Sequence, residues 1–215
     1  MYMRSNDNGV ICVLAFIRKT DQNYNLRIEI MNEFTHYLKV DYRKVSLEII
    51  INGLNDAIDS LKKQIDEIHW YDGDWFMEES EPIYGLAFIA FQNYINGSIK
   101  DFIGDLKSKQ ELYKIENKES KHSKTKIELI IGLANYSKHK DEGISHRGTK
   151  EVLDCFELNY KNVTYLDNSP IYQGLTILDE NWDLIKIKAI AIEWRKLLWN
   201  QEIELNTKIT KSQVK

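Results

Sequence analysis

An apolar repeat between residues 47 and 68 constrains the fold of this chain more than any other feature. Leucines and isoleucines recur there at alternating spacings of four and three residues, which follows the turn of an α-helix and not the alternation of a strand. The repeat consists of Leu47, Ile51, Leu54, Ile58, Leu61, Ile65 and Ile68. It predicts a long helix over residues 44–69 that buries one face.

The rest of the chain also favours helices. Its 215 residues include only two prolines and ten glycines, and so few helix-breaking residues disfavour a turn-rich β fold. Further apolar stripes predict a helix that begins near residues 79–82, helices over about 124–140 and 180–201, and a short helix capped by Thr149. The sequence therefore predicts an all-α, single-domain bundle of five or six helices over residues 1–202, followed by a polar tail at 203–215.

Two parts of the chain are less regular. The apolar run at 10–17 and the alternating residues Leu26, Ile28 and Ile30 fit a hairpin, whereas residues 22–39 also fit a helix. We favour the helix, with a small irregular or hairpin segment near the N-terminus as the alternative. Residues 157–179 are rich in asparagine and predict a long connection.

The charge and the cysteine content limit the class of protein. A formal net charge of -4 gives no overall attraction to nucleic acid or to anionic lipid, so any such contact has to be local. Cys12 and Cys155 form no CxxC pair, which favours a reduced, cytoplasmic setting. The apolar run at 10–17 is too short to span a bilayer, and its flanking charges do not suit a signal peptide. We therefore expect a cytoplasmic protein without membrane contact.

The segment from Asn135 to Glu142 concentrates polar side chains directly after an apolar helical run. On a helix Asn135, His139 and Glu142 share one face. A histidine beside Lys138 and an amide suits general acid–base chemistry, because imidazole titrates near neutrality, and it also suits phosphate binding. We therefore assign Asn135, Lys138 and His139 as candidate catalytic residues. The surrounding candidate binding residues are Tyr136, Lys140, Glu142, His146 and Arg147.

The same region has a purely structural explanation. Lysine and histidine in the last helical turn complement the negative end of the helix dipole, and Gly143 suits a C-terminal cap. Against this, residues 117–150 hold eight lysines and arginines but only four carboxylates, in a chain that is acidic as a whole. Such a local excess is what a phosphate-binding face requires.

A second cluster lies at residues 69–79, where histidine, aromatic residues and carboxylates alternate. Its ligand spacing matches no defined metal site, so we expect no metal there. The aromatic residues at 70–76 either anchor a loop between two helices or form a patch for a protein partner. The chain also lacks GxGxxG, Walker, HExxH and GxSxG motifs, and we expect no cofactor.

A helical bundle with a polar stretch that ends in histidine late in a central helix resembles the HEPN domains of prokaryotes. Those domains are all-α, are often dimeric, and occur in toxin–antitoxin, defence and RNA-processing systems. Active members are metal-independent RNases whose motif is an arginine, commonly followed by a polar residue, and a histidine after four to six intervening residues. Here His139 matches the histidine and Asn135 the polar residue. The three positions where the arginine would stand hold Gly132, Leu133 and Ala134.

The resemblance implies a divergent, non-catalytic or weakly catalytic bacterial protein that can form homodimers. We expect it to bind RNA or a protein partner through the surface around Asn135, Lys138 and His139. One alternative is a metal-independent RNase of toxin–antitoxin or defence type, with His139 as general acid–base and Lys138 or Lys140 stabilising phosphate charge. The other is a protein-interaction module that uses the aromatic segment 70–76.

Overall fold

The computed structural model describes residues 39–116, 121–142, 146–160 and 168–213, with side chains as far as Asn200. The chain divides into two units, Met1–Val40 and Asp41–Lys215, and the description below concerns the second. The helix and hairpin alternatives for residues 8–39 therefore lie outside the described residues. The prediction of one domain over 1–202 stays a prediction for the same reason.

The described part of the chain contains seven α-helices and no strand, which confirms the all-α prediction. In chain order they are α1 (Arg43–Glu67), α2 (Gly73–Ile103), α3 (Lys109–Leu112), α4 (Lys126–His139), α5 (Arg147–Cys155), α6 (Pro170–Leu178) and α7 (Leu184–Gln213). A 3-10 turn, η1 (Lys140–Glu142), continues directly from α4. None of the described helices is both long enough and apolar enough to cross a membrane.

The central element is α2, which packs against α1, α4, α6 and α7. It is longer than the sequence predicted, because it begins at Gly73 and not near residues 79–82. Asp72 caps this start by accepting hydrogen bonds from the backbone N–H groups of Asp74 and Trp75. Pro82, which suggested a helix start, lies inside α2 and removes one helical N–H donor.

The repeat that predicted α1 is buried over most of its length. Leu47, Ile51 and Ile58 belong to the core, and the later members except one are partly buried against it. Ile65 is the exception, with 42% of its surface exposed. Ile65 therefore follows the repeat without belonging to the core, whereas Ile68 beyond it still packs against the core.

The start of α4 follows its local sequence. Thr125 accepts a hydrogen bond from the N–H of Glu128, and the Glu128 side chain accepts one from the N–H of Thr125, which is a capping box. Two glycines then allow neighbouring helices to approach closely. A Cβ on Gly132 would lie 2.6 Å from Val152 Cγ1 on α5, and a Cβ on Gly85 of α2 would overlap the Ser137 side chain.

Three predicted boundaries are wrong. Thr149 does not cap α5; it is buried inside that helix, whose N-cap is His146. The predicted connection at 157–179 contains α6, which Ser169 caps and Pro170 begins, a pairing that favours helix starts. Finally, the last helix does not end near residue 201, because α7 continues to Gln213 through a stretch that has no glycine or proline to end it. The assignment of residues 203–215 as a polar tail outside the domain stays a prediction.

Candidate functional site

The candidate residues meet where α4 ends. Asn135, Tyr136, Lys138 and His139 lie in its last two turns, and Lys140 and Glu142 follow in η1. The start of α5 adds the N-cap His146 and the first helical residue, Arg147. Side chains of α2 contact this end from the other side, since Glu81 pairs with Lys140 and Gln92 with Asn135.

Gln92 connects two of the predicted catalytic residues. It is only 6% exposed, and its amide group donates to Asn135 Oδ1 at 2.9 Å. Its amide oxygen accepts a hydrogen bond from Lys138 Nζ at 2.6 Å. Because both ends of this one amide are engaged, Asn135 and Lys138 are held in a fixed relation to each other. Asn135 acts here as an acceptor that orients Gln92.

Lys138 carries a charge that its surroundings do not compensate. Burial lowers the pKa of its ammonium group below the ordinary value of 10.5, and the nearby Lys109 of α3 lowers it further. Within the described part of the chain, no carboxylate forms an ion pair with it. The purely structural explanation predicts that Lys138 interacts with the last carbonyl groups of α4. Its ammonium group instead donates to the side chain of Gln92 on α2.

Lys140 has the opposite environment. Its ammonium group lies 2.7 Å from Glu81 Oε2, and the Ser169 hydroxyl donates to the other oxygen of the same carboxylate. The Glu81 side chain is 12% exposed, so this pair joins α2, η1 and the start of α6 in a partly buried position. Tyr136 lies close by, and burial with the charge of Glu81 raises its pKa to about 12. Tyr136 is therefore a neutral, buried phenol.

His139 and His146 form a small group in which His139 is half-buried and His146 is exposed. Nδ1 of His139 lies 2.9 Å from Glu142 Oε2, and its ring meets the ring of His146 edge-on with centroids 4.9 Å apart. Arg147 points away from this pair, because its guanidinium binds Glu151 on the next turn of α5 at 2.8 Å. Among the described residues, no group of three or more potential ligands is placed to hold a metal ion.

The structure reduces the predicted basic patch to fewer residues. Lys124 pairs with Glu128, Lys140 with Glu81 and Arg147 with Glu151. Lys109, by contrast, was not predicted, because it lies outside residues 117–150. Gln92 and Glu81 were also missed. They are 43 and 59 residues from their partners in sequence, and nothing in the local pattern indicates such a contact.

The aromatic segment 70–76 divides into a buried and an exposed half. Tyr71 and Phe76 belong to the core, and the Tyr71 hydroxyl donates to Glu79. Trp70 and Trp75 are 64% and 48% exposed, and their rings meet edge-on at 5.9 Å. Tyr71 and Phe76 therefore anchor the segment in the core, and Trp70 and Trp75 form an exposed aromatic pair.

Comparisons of the chain with protein-family models, curated proteins and solved structures gave no match.

Proposed function

We propose that this chain is a HEPN-like, cytoplasmic helical domain that binds RNA without cleaving it. The binding region is the α4-end surface, which we define as Lys109, Asn135, Lys138, His139 and His146. The observation that carries the proposal is the environment of Lys138. Its ammonium group is fixed by a neutral amide and lies near a second lysine, with no described carboxylate to neutralise it.

Such an arrangement suits a phosphate group. A phosphate placed between Lys138 and Lys109 would relieve the repulsion between two ammonium groups and would accept charge-assisted hydrogen bonds. The bond to Gln92 holds the Lys138 ammonium group in place, so the group is positioned before an anion arrives. His139 and His146 add donors beside it, and His146 is exposed to solvent.

The absence of cleavage follows from the positions where the HEPN-type arginine would stand. Leu133 and Ala134 are fully buried, and Gly132 contacts α5 so closely that a Cβ would meet Val152. The fold uses all three positions for packing. The nearest arginine along the chain, Arg147, is engaged by Glu151. Among the residues that the structure describes, the cations next to His139 in the α4-end surface are lysines.

The test is an RNA titration followed by fluorescence anisotropy at low salt. Wild-type protein should bind a short single-stranded RNA, and Lys138→Glu should bind it about tenfold or more weakly, since a contact to phosphate is replaced by repulsion. Lys124→Gln is the matched control, because that lysine already pairs with Glu128; its RNA affinity should change less than twofold. Absence of RNA binding by the wild-type protein would refute the proposal.

The RNase alternative has one observation in its favour. Two imidazoles 4.9 Å apart beside a lysine could act as general acid and general base. Incubation of RNA with EDTA-treated protein distinguishes the two functions. We expect intact RNA; cleavage that is lost in both His139→Ala and His146→Ala would establish the RNase instead.

A protein partner is the other alternative, and the exposed pair of Trp70 and Trp75 favours it. Tryptophan is enriched among the few residues that contribute most of the binding energy of protein interfaces. If RNA does not bind and Trp75→Ala abolishes a complex that forms in cells, the interaction module becomes the better description. Lys138→Glu should leave such a complex intact.

A further inference from the structure

The turn between α1 and α2 carries two tryptophans that the fold leaves exposed. Trp70 and Trp75 are 64% and 48% exposed, and their rings meet edge-on with centroids 5.9 Å apart. Large apolar side chains that are exposed together, and not singly, indicate a contact surface for another molecule. The α1–α2 corner, which we define as residues 66–79, is therefore a candidate docking surface away from the α4-end surface.

The tryptophan pair is held in place by its neighbours. The buried Tyr71 donates its hydroxyl to Glu79 Oε2 at 2.8 Å, and its ring meets the Trp70 ring with centroids 6.1 Å apart. On the other side, Asp72 Oδ1 accepts the backbone N–H of Trp75 at 3.2 Å. One carboxylate thus lies at the backbone of Trp75, and another is bound to the tyrosine beside Trp70. Since these contacts exist before a partner arrives, the entropic cost of binding is reduced.

The charge of the α1–α2 corner is negative. It holds six carboxylates and no lysine or arginine, and its one basic residue is His69. The carboxylate residues are all exposed, and within the described part of the chain no lysine or arginine forms an ion pair with them. They are Asp66, Glu67, Asp72, Asp74, Glu78 and Glu79. The nearest lysines along the chain, Lys62 and Lys63, lie in the preceding turn of α1, and Lys62 pairs with Asp59.

The fold accounts for only part of this charge. Asp72 and Asp74 lie at the start of α2, where carboxylates stabilise the positive end of the helix dipole. Asp66 and Glu67 lie in the last turn of α1, which has no basic residue, and there a carboxylate meets the negative end of the dipole. These two residues therefore weaken α1 in the absence of a partner, and a bound cation would relieve the repulsion.

We infer that the α1–α2 corner binds an arginine-containing segment of another protein. A guanidinium group can stack on an exposed indole while it donates hydrogen bonds to a carboxylate, and the ammonium group of lysine lacks that planar surface. Several arginines along one segment would meet carboxylates at the end of α1 and at the start of α2. The inference does not depend on RNA binding, because the α1–α2 corner and the α4-end surface share no residue and their charges are opposite.

The test uses a synthetic peptide of repeated Arg-Gly units, and the same peptide with citrulline, the uncharged isostere of arginine, in place of arginine. The indole N–H signals of Trp70 and Trp75 are followed by two-dimensional NMR in the full-length protein, and Trp70→Phe and Trp75→Phe identify them. The arginine peptide should shift both signals saturably at micromolar concentrations, and the citrulline peptide should bind about tenfold or more weakly. Equal affinity for the two peptides, or no shift with the arginine peptide, would overturn the inference.

One pair of variants separates binding at the α1–α2 corner from general attraction to an acidic protein. Asp66→Asn combined with Glu67→Gln should weaken binding of the arginine peptide about tenfold and should raise the melting temperature, because repulsion at the end of α1 is removed. Asp56→Asn combined with Glu180→Gln removes the same charge from exposed positions elsewhere and should keep the affinity of the wild type. Equal losses in the two double variants would reduce the effect to the net charge of the chain and refute the assignment.

A second pair of variants tests the aromatic contact. Trp70→Ala removes a side chain that is 64% exposed, so it should leave the fold intact and lower the affinity for the arginine peptide about tenfold. Leu86→Ala truncates another exposed apolar side chain, in the middle of α2, and should keep the affinity of the wild type. Undiminished binding of the arginine peptide by Trp70→Ala would contradict the inference.

Discussion

Lys138 and Lys140 lie two positions apart at the end of α4 and meet opposite kinds of partner. Lys140 is neutralised by Glu81, a largely buried carboxylate that also binds the Ser169 hydroxyl. Lys138 donates to the neutral amide of Gln92, and its charged neighbour is another lysine, Lys109. Lys140 therefore holds the fold together, while Lys138 keeps a positive charge that the protein does not use internally.

This difference shows why a count of charges along the chain is a poor guide to binding. The two lysines look equivalent in the sequence, and both fall in the basic segment 117–150. Which of them has a carboxylate partner depends on side chains of α2, far away in sequence. We therefore expect substitutions of Lys140 to change mainly the stability of the fold and substitutions of Lys138 to change mainly the binding of RNA.

The largest expected effect is on stability. Lys140→Glu would place two carboxylates together in a partly buried position, and we expect it to lower the free energy of unfolding by about 2–3 kcal/mol. Urea denaturation at neutral pH measures this. Lys138→Glu is the matched variant, since Lys109 can accommodate the new carboxylate, and it should cost less than about 1 kcal/mol. Equal losses for the two variants would abolish the distinction between the lysines.

The next effect is a pH dependence of RNA binding. The pKa of Lys138 lies below 10.5 in the folded protein, so its positive charge is lost as pH rises towards that value, before an ordinary lysine is neutralised. RNA affinity should therefore fall about tenfold across this alkaline window as one charge-assisted contact disappears. A 2′-O-methyl oligoadenylate, which resists alkaline hydrolysis, is a suitable ligand for anisotropy measurements.

Lys138→Arg is the control for that pH effect, because arginine stays protonated throughout. Its affinity should stay level over the range in which the wild type weakens. Folding stability should change in the opposite direction to binding. The unfolded chain holds more protons than the folded one in this window, so the contribution of Lys138 to stability rises with pH. A wild-type protein whose RNA affinity follows that of Lys138→Arg would remove Lys138 from the contact.

A smaller effect concerns salt. Each phosphate that a protein neutralises releases a counterion, so Lys138→Gln should reduce the slope of log affinity against log salt by about 0.7 for a single-stranded ligand. Lys140→Gln should leave the slope unchanged, because its ammonium group is already paired with Glu81. Titrations at several salt concentrations provide both slopes. A lower slope in Lys140→Gln alone would reverse the roles of the two lysines.

The smallest effect is on the stability of Lys138→Met. Methionine removes an exposed charge that is partly desolvated and close to Lys109, but it also leaves the Gln92 oxygen without its donor. These terms oppose each other, and we expect a net change within about 0.5 kcal/mol. Lys140→Met should cost about 1–2 kcal/mol, since Glu81 then keeps only Ser169. Thermal denaturation of the two methionine variants, side by side, tests whether the two environments really differ.

Local patterns predicted much of the fold. The repeat in α1 and the Thr125–Glu128 capping box are short-range features, so both helices could be read from sequence. The start of α2 was misplaced because acids before Pro82 imitate a helix start, while the cap at Asp72 decides it. The nine-residue α6 was not predicted, since it follows an asparagine-rich stretch typical of a connection, although Ser169 and Pro170 are residues that favour a helix start.

The site was less predictable than the fold. The sequence indicated the end of α4 as the candidate site, because polar residues follow an apolar run there, and that assignment stays a prediction. It did not identify Gln92, Glu81 or Lys109, because these lie on other helices and gain their roles only through packing. The division of the aromatic segment into buried Tyr71 and exposed Trp70 also depends on tertiary contacts.

The close contacts at Gly85 and Gly132 have a consequence for how this surface can change during evolution. They let α2 and α5 hold α4 along its length at distances that a larger residue would not allow. Residues at the exposed end of a helix held in this way can be substituted while the backbone of the helix keeps its position. If the α4-end surface binds RNA as proposed, single substitutions at positions such as 138 and 139 would alter what it binds without a new fold. Related domains could therefore differ in the ligand that they bind, whereas replacing Gly85 or Gly132 with a larger residue would disturb the packing of α4.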